Sequence, residues 1–128
     1  MFNISFNHIA ISVKDADRSI EFYQKVLALE EIPNPSLDSK TRWLSLGEGK
    51  ELHLIHRPNA EIKINKAVHF ALATPDIHKV VDHLRKLGIE FTDWKDNPNK
   101  IHVRDDGILQ IYFQDIDGYW VEINNDIG

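Results

Sequence analysis

The sequence predicts an α+β fold made of two repeated βαβββ modules whose half-sheets curl around one shared cavity. Three observations lead there. Short apolar/polar alternations bracket one amphipathic helical stripe in each half of the chain, a period of two giving way to a period near 3.6 and back. His8 lies 61 residues before His69 (69 minus 8), and at that offset FNHIAISVKDADRSIEFYQKVL aligns without a gap over AVHFALATPDIHKVVDHLRKLG, the signature of an internal repeat. Turn signals rich in glycine, proline and aspartate separate the remaining apolar runs.

In the first half, His8 to Val13 reads as a strand with Ile9, Ile11 and Val13 on one face and His8, Ala10 and Ser12 on the other. Asp15 or Asp17 can cap a helix whose stripe is Ile20, Phe22, Tyr23, Val26 and Leu27. That helix is expected to cover the apolar face of the sheet. Glu31 to Lys40, with Pro33, Pro35 and Ser36, reads as a loop. Thr41–Leu46 and Glu51–His56 read as strands across a Gly47-Glu48-Gly49 turn.

The second half begins the order again. His69–Ala73 is a strand, and Pro75-Asp76 starts a helix through Ile77, Val80, Val81, Leu84 and Leu87 that Gly88 stops. Ile89–Phe91, Ile108–Phe113 and Tyr119–Asn124 read as strands, with Asp117-Gly118 as the last turn. The expected organisation is one domain over 1–128, with module one at about 5–58 and module two at about 66–126. Asn59 to Lys66 is the connection.

Composition narrows the function. The chain has 128 residues, 42% hydrophobic and 27% charged, which suits one soluble globular domain. No run approaches the roughly 18 apolar residues of a membrane span, and the N-terminus lacks the order of a signal peptide, so the expectation is a cytoplasmic protein without a membrane partner. A net charge of −5 and the absence of a Lys/Arg block argue against nucleic acid. With no cysteine among the residues, thiolate sites, disulfides and thiol nucleophiles are excluded, which leaves the seven histidines and the carboxylates to bind any metal.

Alternation assigns residues to the cavity face. If the apolar faces lie under the helices, the opposite face presents His8 and His69 from the first strands, Glu51, His53 and Ile55 from one last strand, and Trp120, Glu122 and Asn124 from the other. His8, His53, His69 and Glu122 are therefore the candidate ligands of a divalent metal. Imidazole and carboxylate donors suit Zn, Ni, Co, Mn or Fe(II). Trp43 and Trp120 are candidates for an aromatic wall of the substrate pocket, the alternative being general packing, and Arg42 and Arg104 are candidates for a substrate carboxylate, the alternative being surface charge. His56 has the wrong parity, His78 and His83 fall on the second helix, and neither these nor His102 is expected to be a ligand.

The segments NHIAISVKDADRSIEFYQKVL, LHLIH, AVHFALAT and YFQDIDGYWVEIN resemble the glyoxalase, bleomycin-resistance and extradiol-dioxygenase superfamily, also called vicinal oxygen chelate proteins, over nearly the whole chain. The resemblance implies a cupped mixed sheet around a metal-binding cavity, with ligands on the first and last strand of each module. His8 matches the first ligand position, His69 the third and Glu122 the fourth. His53 falls where glyoxalase I proteins carry glutamate and methylmalonyl-CoA epimerases carry glutamine.

The resemblance further implies proton abstraction beside a carbonyl, with Glu122 as the one ligand carboxylate able to act as base. The leading expectation is a metal-dependent glyoxalase-like lyase or isomerase acting on a small oxygen-chelating substrate. The alternatives are a non-catalytic, bleomycin-type small-molecule binder and an Fe(II) extradiol-type dioxygenase using His8, His69 and Glu122. Tyr112 matches the tyrosine that fosfomycin-modifying members direct at the phosphonate and joins the expected substrate pocket. Those members' basic C-terminal residue has no counterpart here, so fosfomycin transfer is not expected. A homodimer is expected from the resemblance alone, and Glu31–Lys40 and Asp93–Asp106 are the expected lid segments.

Overall fold

The computed structural model describes residues 2–36 and 40–128. The chain divides into two compact units, Met1–Ile62 and Lys63–Gly128.

The first unit runs β1 (His8–Val13), α1 (Ala16–Leu27), β2 (Glu31–Ile32), β3 (Arg42–Gly47) and β4 (Lys50–His56). Its sheet has the order β1-β4-β3-β2, with β1 parallel to β4 and the other pairs antiparallel. Asp15 caps α1 by accepting from the amides of Asp17 and Arg18, which satisfies donors that a helix start leaves open. His56 adds a third cap contact: its Nδ1 accepts from the Ala16 amide at 3.1 Å. The buried residues of α1 are Ala16, Ser19, Ile20, Tyr23 and Val26, while Phe22 and Leu27 flank the stripe half-buried. The helix packs on β3 and β4, where Leu44, Leu52 and Leu54 are fully buried.

One correction concerns the segment expected to be a loop from Glu31 to Lys40. Its first two residues pair with Trp43 and Leu44 as β2, an edge strand too short to show a period of two. Residues 37–39 of that expected lid lie outside the described residues.

The second unit runs β5 (His69–Ala73), α2 (Ile77–Leu87), β6 (Phe91–Thr92), β7 (His102–Val103), β8 (Leu109–Gln114) and β9 (Trp120–Asn124). Its sheet has the order β5-β9-β8-β6, with β7 also pairing to β8. The helix stripe repeats the first at the same offset of 61: Ile77, Val81 and Leu84 are buried where Ala16, Ile20 and Tyr23 are. Asp76 is the N-cap, and Gly88 takes the left-handed C-cap position at φ 70°. Phe91, Ile111, Phe113, Val121 and Ile123 complete the core of this unit. The Asp93–Asp106 segment is not wholly a loop, because β7 forms within it. Among the described residues no helix is long and apolar enough to cross a membrane.

Candidate metal centre

The four candidate ligands fall into two pairs, one in each unit, and strand register explains both pairs. On the parallel pair β1/β4, Ala10 lies opposite His53. On β5/β9, Ala71 lies opposite Glu122. Each module thus carries a histidine at the start of its first strand and a second donor beside the alanine two residues on. Register partners in a sheet share a face, and an alanine side chain ends at Cβ, so the two donors of each pair can meet over it. The third strand repeats too: Trp43 is opposite His53 and Tyr112 is opposite Glu122.

In the first unit His53 is buried between two rings. Trp43 stacks on one face at 3.8 Å between centroids and His8 on the other at 4.0 Å, with interplanar angles of 8° and 17°. His53 Nε2 and Glu51 Oε1 are 2.9 Å apart, and His8 Nδ1 lies 2.6 Å from Asn7 Oδ1. Near-parallel rings point their in-plane lone pairs side by side, so joint ligation by His8 and His53 requires one ring to turn.

In the second unit the pair is closer to a ligating arrangement. Glu122 is 6% exposed, and its Oε2 accepts from Gln110 Nε2 at 3.0 Å and Asn124 Nδ2 at 2.7 Å. Tyr112 hydrogen-bonds the same carboxylate, and burial first, then the Glu122 charge, pushes the phenol pKa up to about 12. His69 Nδ1 donates to the Lys66 carbonyl at 2.9 Å, and its Nε2 lies 3.1 Å from Glu122 Oε1. An imidazole that gives its Nδ1 proton to a carbonyl presents a bare Nε2 when neutral. Two acceptors then face each other in a part-buried place, an arrangement relieved by a proton or by a metal ion that both can bind. This is the observation that tests the implied metal, and the His69–Glu122 pair fits it. The carbonyl and amide partners are the outer supports that hold ligating groups in line.

Among the described residues no group of three or more His, Asp or Glu side chains is gathered as a metal site. For Arg42 and Arg104 the structure shows the surface-charge reading. Arg42 is engaged by Glu31 at 2.8 and 2.7 Å and by Asp17 at 2.7 Å, and Arg104 by Asp106 at 2.9 and 2.6 Å and Asp126 at 3.1 Å. Both guanidiniums are spent on surface carboxylates, which hold their pKa values above the usual range. An open cavity of about 540 Å³ beside Arg42 and Trp43 is lined by Asp17, Glu31, Ile32 and Asn34 as well, and its charged groups are those already paired. Two residues missed at the level of sequence stand at His69: Trp94, with ring centroids 6.1 Å apart, and Lys66. Period and motif gave no signal for either.

Fold and donor chemistry together define a class: an α+β protein of repeated βαβββ modules that present imidazole and carboxylate groups from matching strand positions. The chain belongs to the Glyoxalase/Bleomycin resistance protein/Dioxygenase superfamily, whose profile matches residues 5–123. It is 31% identical over 130 residues to Glyoxylase I 4 of Arabidopsis thaliana, covering 94% of this chain and 70% of that protein. It is 27% identical over 123 residues to the metallothiol transferase FosB of Staphylococcus haemolyticus, covering 92% and 81%. A solved Bacillus anthracis structure described as of the glyoxalase family superimposes with a TM-score of 0.79 at 23% identity, covering 98% of this chain and 97% of that one. These relatives carry different activities on one fold, so the reaction must be argued from the site.

Proposed function

We propose that this chain is a metal-dependent lyase or isomerase of the glyoxalase-like kind, acting on a small substrate whose neighbouring oxygens chelate the ion. His8, His53, His69 and Glu122 are the proposed ligands, and Glu122 is the proposed base. The observation that carries the reading is the part-buried His69 Nε2 facing Glu122 Oε1, with His69 Nδ1 and Glu122 Oε2 engaged elsewhere. Relatives that include a glyoxalase and a metallothiol transferase support a metal-dependent chemistry.

A divalent ion, when bound, supplies Lewis-acid polarisation of a coordinated oxygen. The residues do the rest. Gln110 and Asn124 hold Oε2 of Glu122, which leaves Oε1 as the atom to receive a proton. Tyr112, its pKa raised, keeps its proton through neutral pH and donates it to the carboxylate. In the second unit Tyr112 meets His69 edge to face and Trp94 lies tilted against both, an aromatic wall beside the buried Glu122. A histidine stands at position 53 where the glyoxalase I pattern has glutamate, so the proposed site has one carboxylate fewer and suits an anionic substrate.

The stack of Trp43, His53 and His8 favours a second reading. A flat aromatic surface binds planar ligands without chemistry, as a bleomycin-type binder does. β1 and β5 each pair on one side only within their own sheets, which supports a homodimer, and we place the protein in the cytoplasm. The deciding experiment is metal content and turnover of tag-free protein against Glu122→Ala and His69→Ala. About one transition metal per chain, lost in both variants together with turnover, supports the enzyme. Ligand binding that is equal with and without metal, and no turnover, supports the binder. Oxygen consumption with a catechol in Fe(II)-loaded protein supports the dioxygenase.

A further inference from the structure

We infer that Lys66 is a positioning residue that builds the wall around His69 and keeps its imidazole aimed at Glu122. It deepens the metal reading above, and the metal arm of its test rests on that reading. Lys66 lies in the connection, three residues before His69, where nothing in the sequence marks it. Its backbone carbonyl accepts from His69 Nδ1 at 2.9 Å, which fixes a proton on Nδ1 and turns Nε2 toward Glu122 Oε1.

Its side chain is 15% exposed and turns away from solvent. The ammonium reaches Thr92 Oγ1 at 3.1 Å, the carbonyls of Asp93 at 2.9 Å and Trp94 at 3.2 Å, and Asp96 Oδ1 at 2.6 Å. It also lies 4.5 Å from the Trp120 ring centroid, 5.1 Å from Tyr112 and 5.5 Å from Trp94. A cation among three aromatic rings is attracted by each ring face.

Two of these rings also lie beside the candidate ligand. Tyr112 meets His69 edge-on at 5.5 Å, Trp94 lies 6.1 Å from His69, and Trp94 and Tyr112 are 5.4 Å apart. One residue therefore orients the imidazole through its carbonyl and, through its ammonium, holds the turn that carries Trp94. Within that segment Asp96 sits at φ 67° and Asn99 at φ 58°, left-handed positions that Asp and Asn adopt as single residues. A compact ammonium suits acceptors gathered around one point, which a planar guanidinium does not. An exposed Lys–Asp pair alone would do little, but this ammonium also reaches three further oxygens, two of them part-buried.

The test uses full-length protein, Lys66→Met and Asp96→Asn, with Co(II) as the probe. In metal-free protein, NMR follows the Trp94 indole N–H, assigned with Trp94→Phe, and the His69 ring nitrogens. Lys66→Met is expected to shift both sets of signals, to change the Co(II) d–d band and to weaken Co(II) binding by about tenfold or more, the scale of losing an outer support of a ligand. Asp96→Asn, exposed and safe for folding, is expected to shift the Trp94 signal and weaken Co(II) binding by roughly twofold. Unchanged Trp94 and His69 signals in both variants overturn the proposal, as does an unchanged Co(II) spectrum and affinity in Lys66→Met. If wild type binds no Co(II), the metal reading fails by itself, and the metal-free NMR signals still decide the role of Lys66. If Lys66→Met does not fold, the Trp94 signal of Asp96→Asn decides it.

Discussion

The two modules share a backbone plan and differ in how firmly they hold their donors. In the first, His8 is exposed and stacked on His53, with its Nδ1 beside Oδ1 of the adjacent Asn7. In the second, His69 and Glu122 are clamped by Lys66, Gln110, Asn124 and Tyr112. Register was kept between the halves while the supporting side chains diverged. A duplicated sheet preserves which positions share a face, because that follows from backbone pairing. Nothing in the pairing preserves the hydrogen bonds that aim those side chains.

The largest expected difference is in metal affinity. Glu122→Ala is expected to reduce Zn(II) or Co(II) affinity by roughly 100-fold or more, because it removes a buried donor, whereas His53→Ala costs about tenfold since its ring must first leave the stack. Isothermal titration of both variants checks this, and equal losses would show that the first module is as well organised as the second. Next in size is the support itself: Gln110→Leu, which leaves Glu122 Oε2 with one fewer donor, is expected to weaken metal binding about tenfold without loss of fold. No change there would mean that Asn124 and Tyr112 suffice.

The helix ends allow a smaller, purely structural comparison. α2 ends on Gly88 at φ 70°, while α1 ends on Ala28 at φ 54°. Ala28→Gly is expected to stabilise the protein and Gly88→Ala to destabilise it, each by about 1 kcal/mol, since the left-handed cap strains a Cβ. Denaturant unfolding reads both, and a loss on Ala28→Gly would mean that Ala28 makes a contact worth more than its strain. The smallest effect belongs to the second module's surface. Arg104 holds the Asp106 carboxyl at about 2, below its ordinary 3.8. A lowered folded-state value stabilises above the ordinary range, and that contribution is lost as pH falls from about 4 through about 2. Arg104→Gln is expected to return the Asp106 titration, followed by NMR, toward 3.8.

Much of the fold was legible because it is local. The capping aspartates, the two helix stripes, Gly88 and the alternation of His8–Val13 and His69–Ala73 all show within a few residues of sequence. The two-residue strands β2 and β7 did not, since two residues carry no period and their pairing is decided by the partner strand. Phe22 and Leu27 fit the α1 stripe by spacing, yet only packing shows that they lie at its edge.

The amino-acid sequence by itself determined the repeat, the face on which His8, His53, His69 and Glu122 stand, and the superfamily, because strand parity and cap chemistry are written in neighbouring residues. The tertiary structure alone decided that Arg42 and Arg104 are bound to surface carboxylates, that His53 lies within an aromatic stack, and that His69 is aimed through Lys66. Lys66 and its oxygen partners are 26 to 30 positions apart in the chain. Contacts at that separation depend on which strands meet, and no local pattern of residues records it.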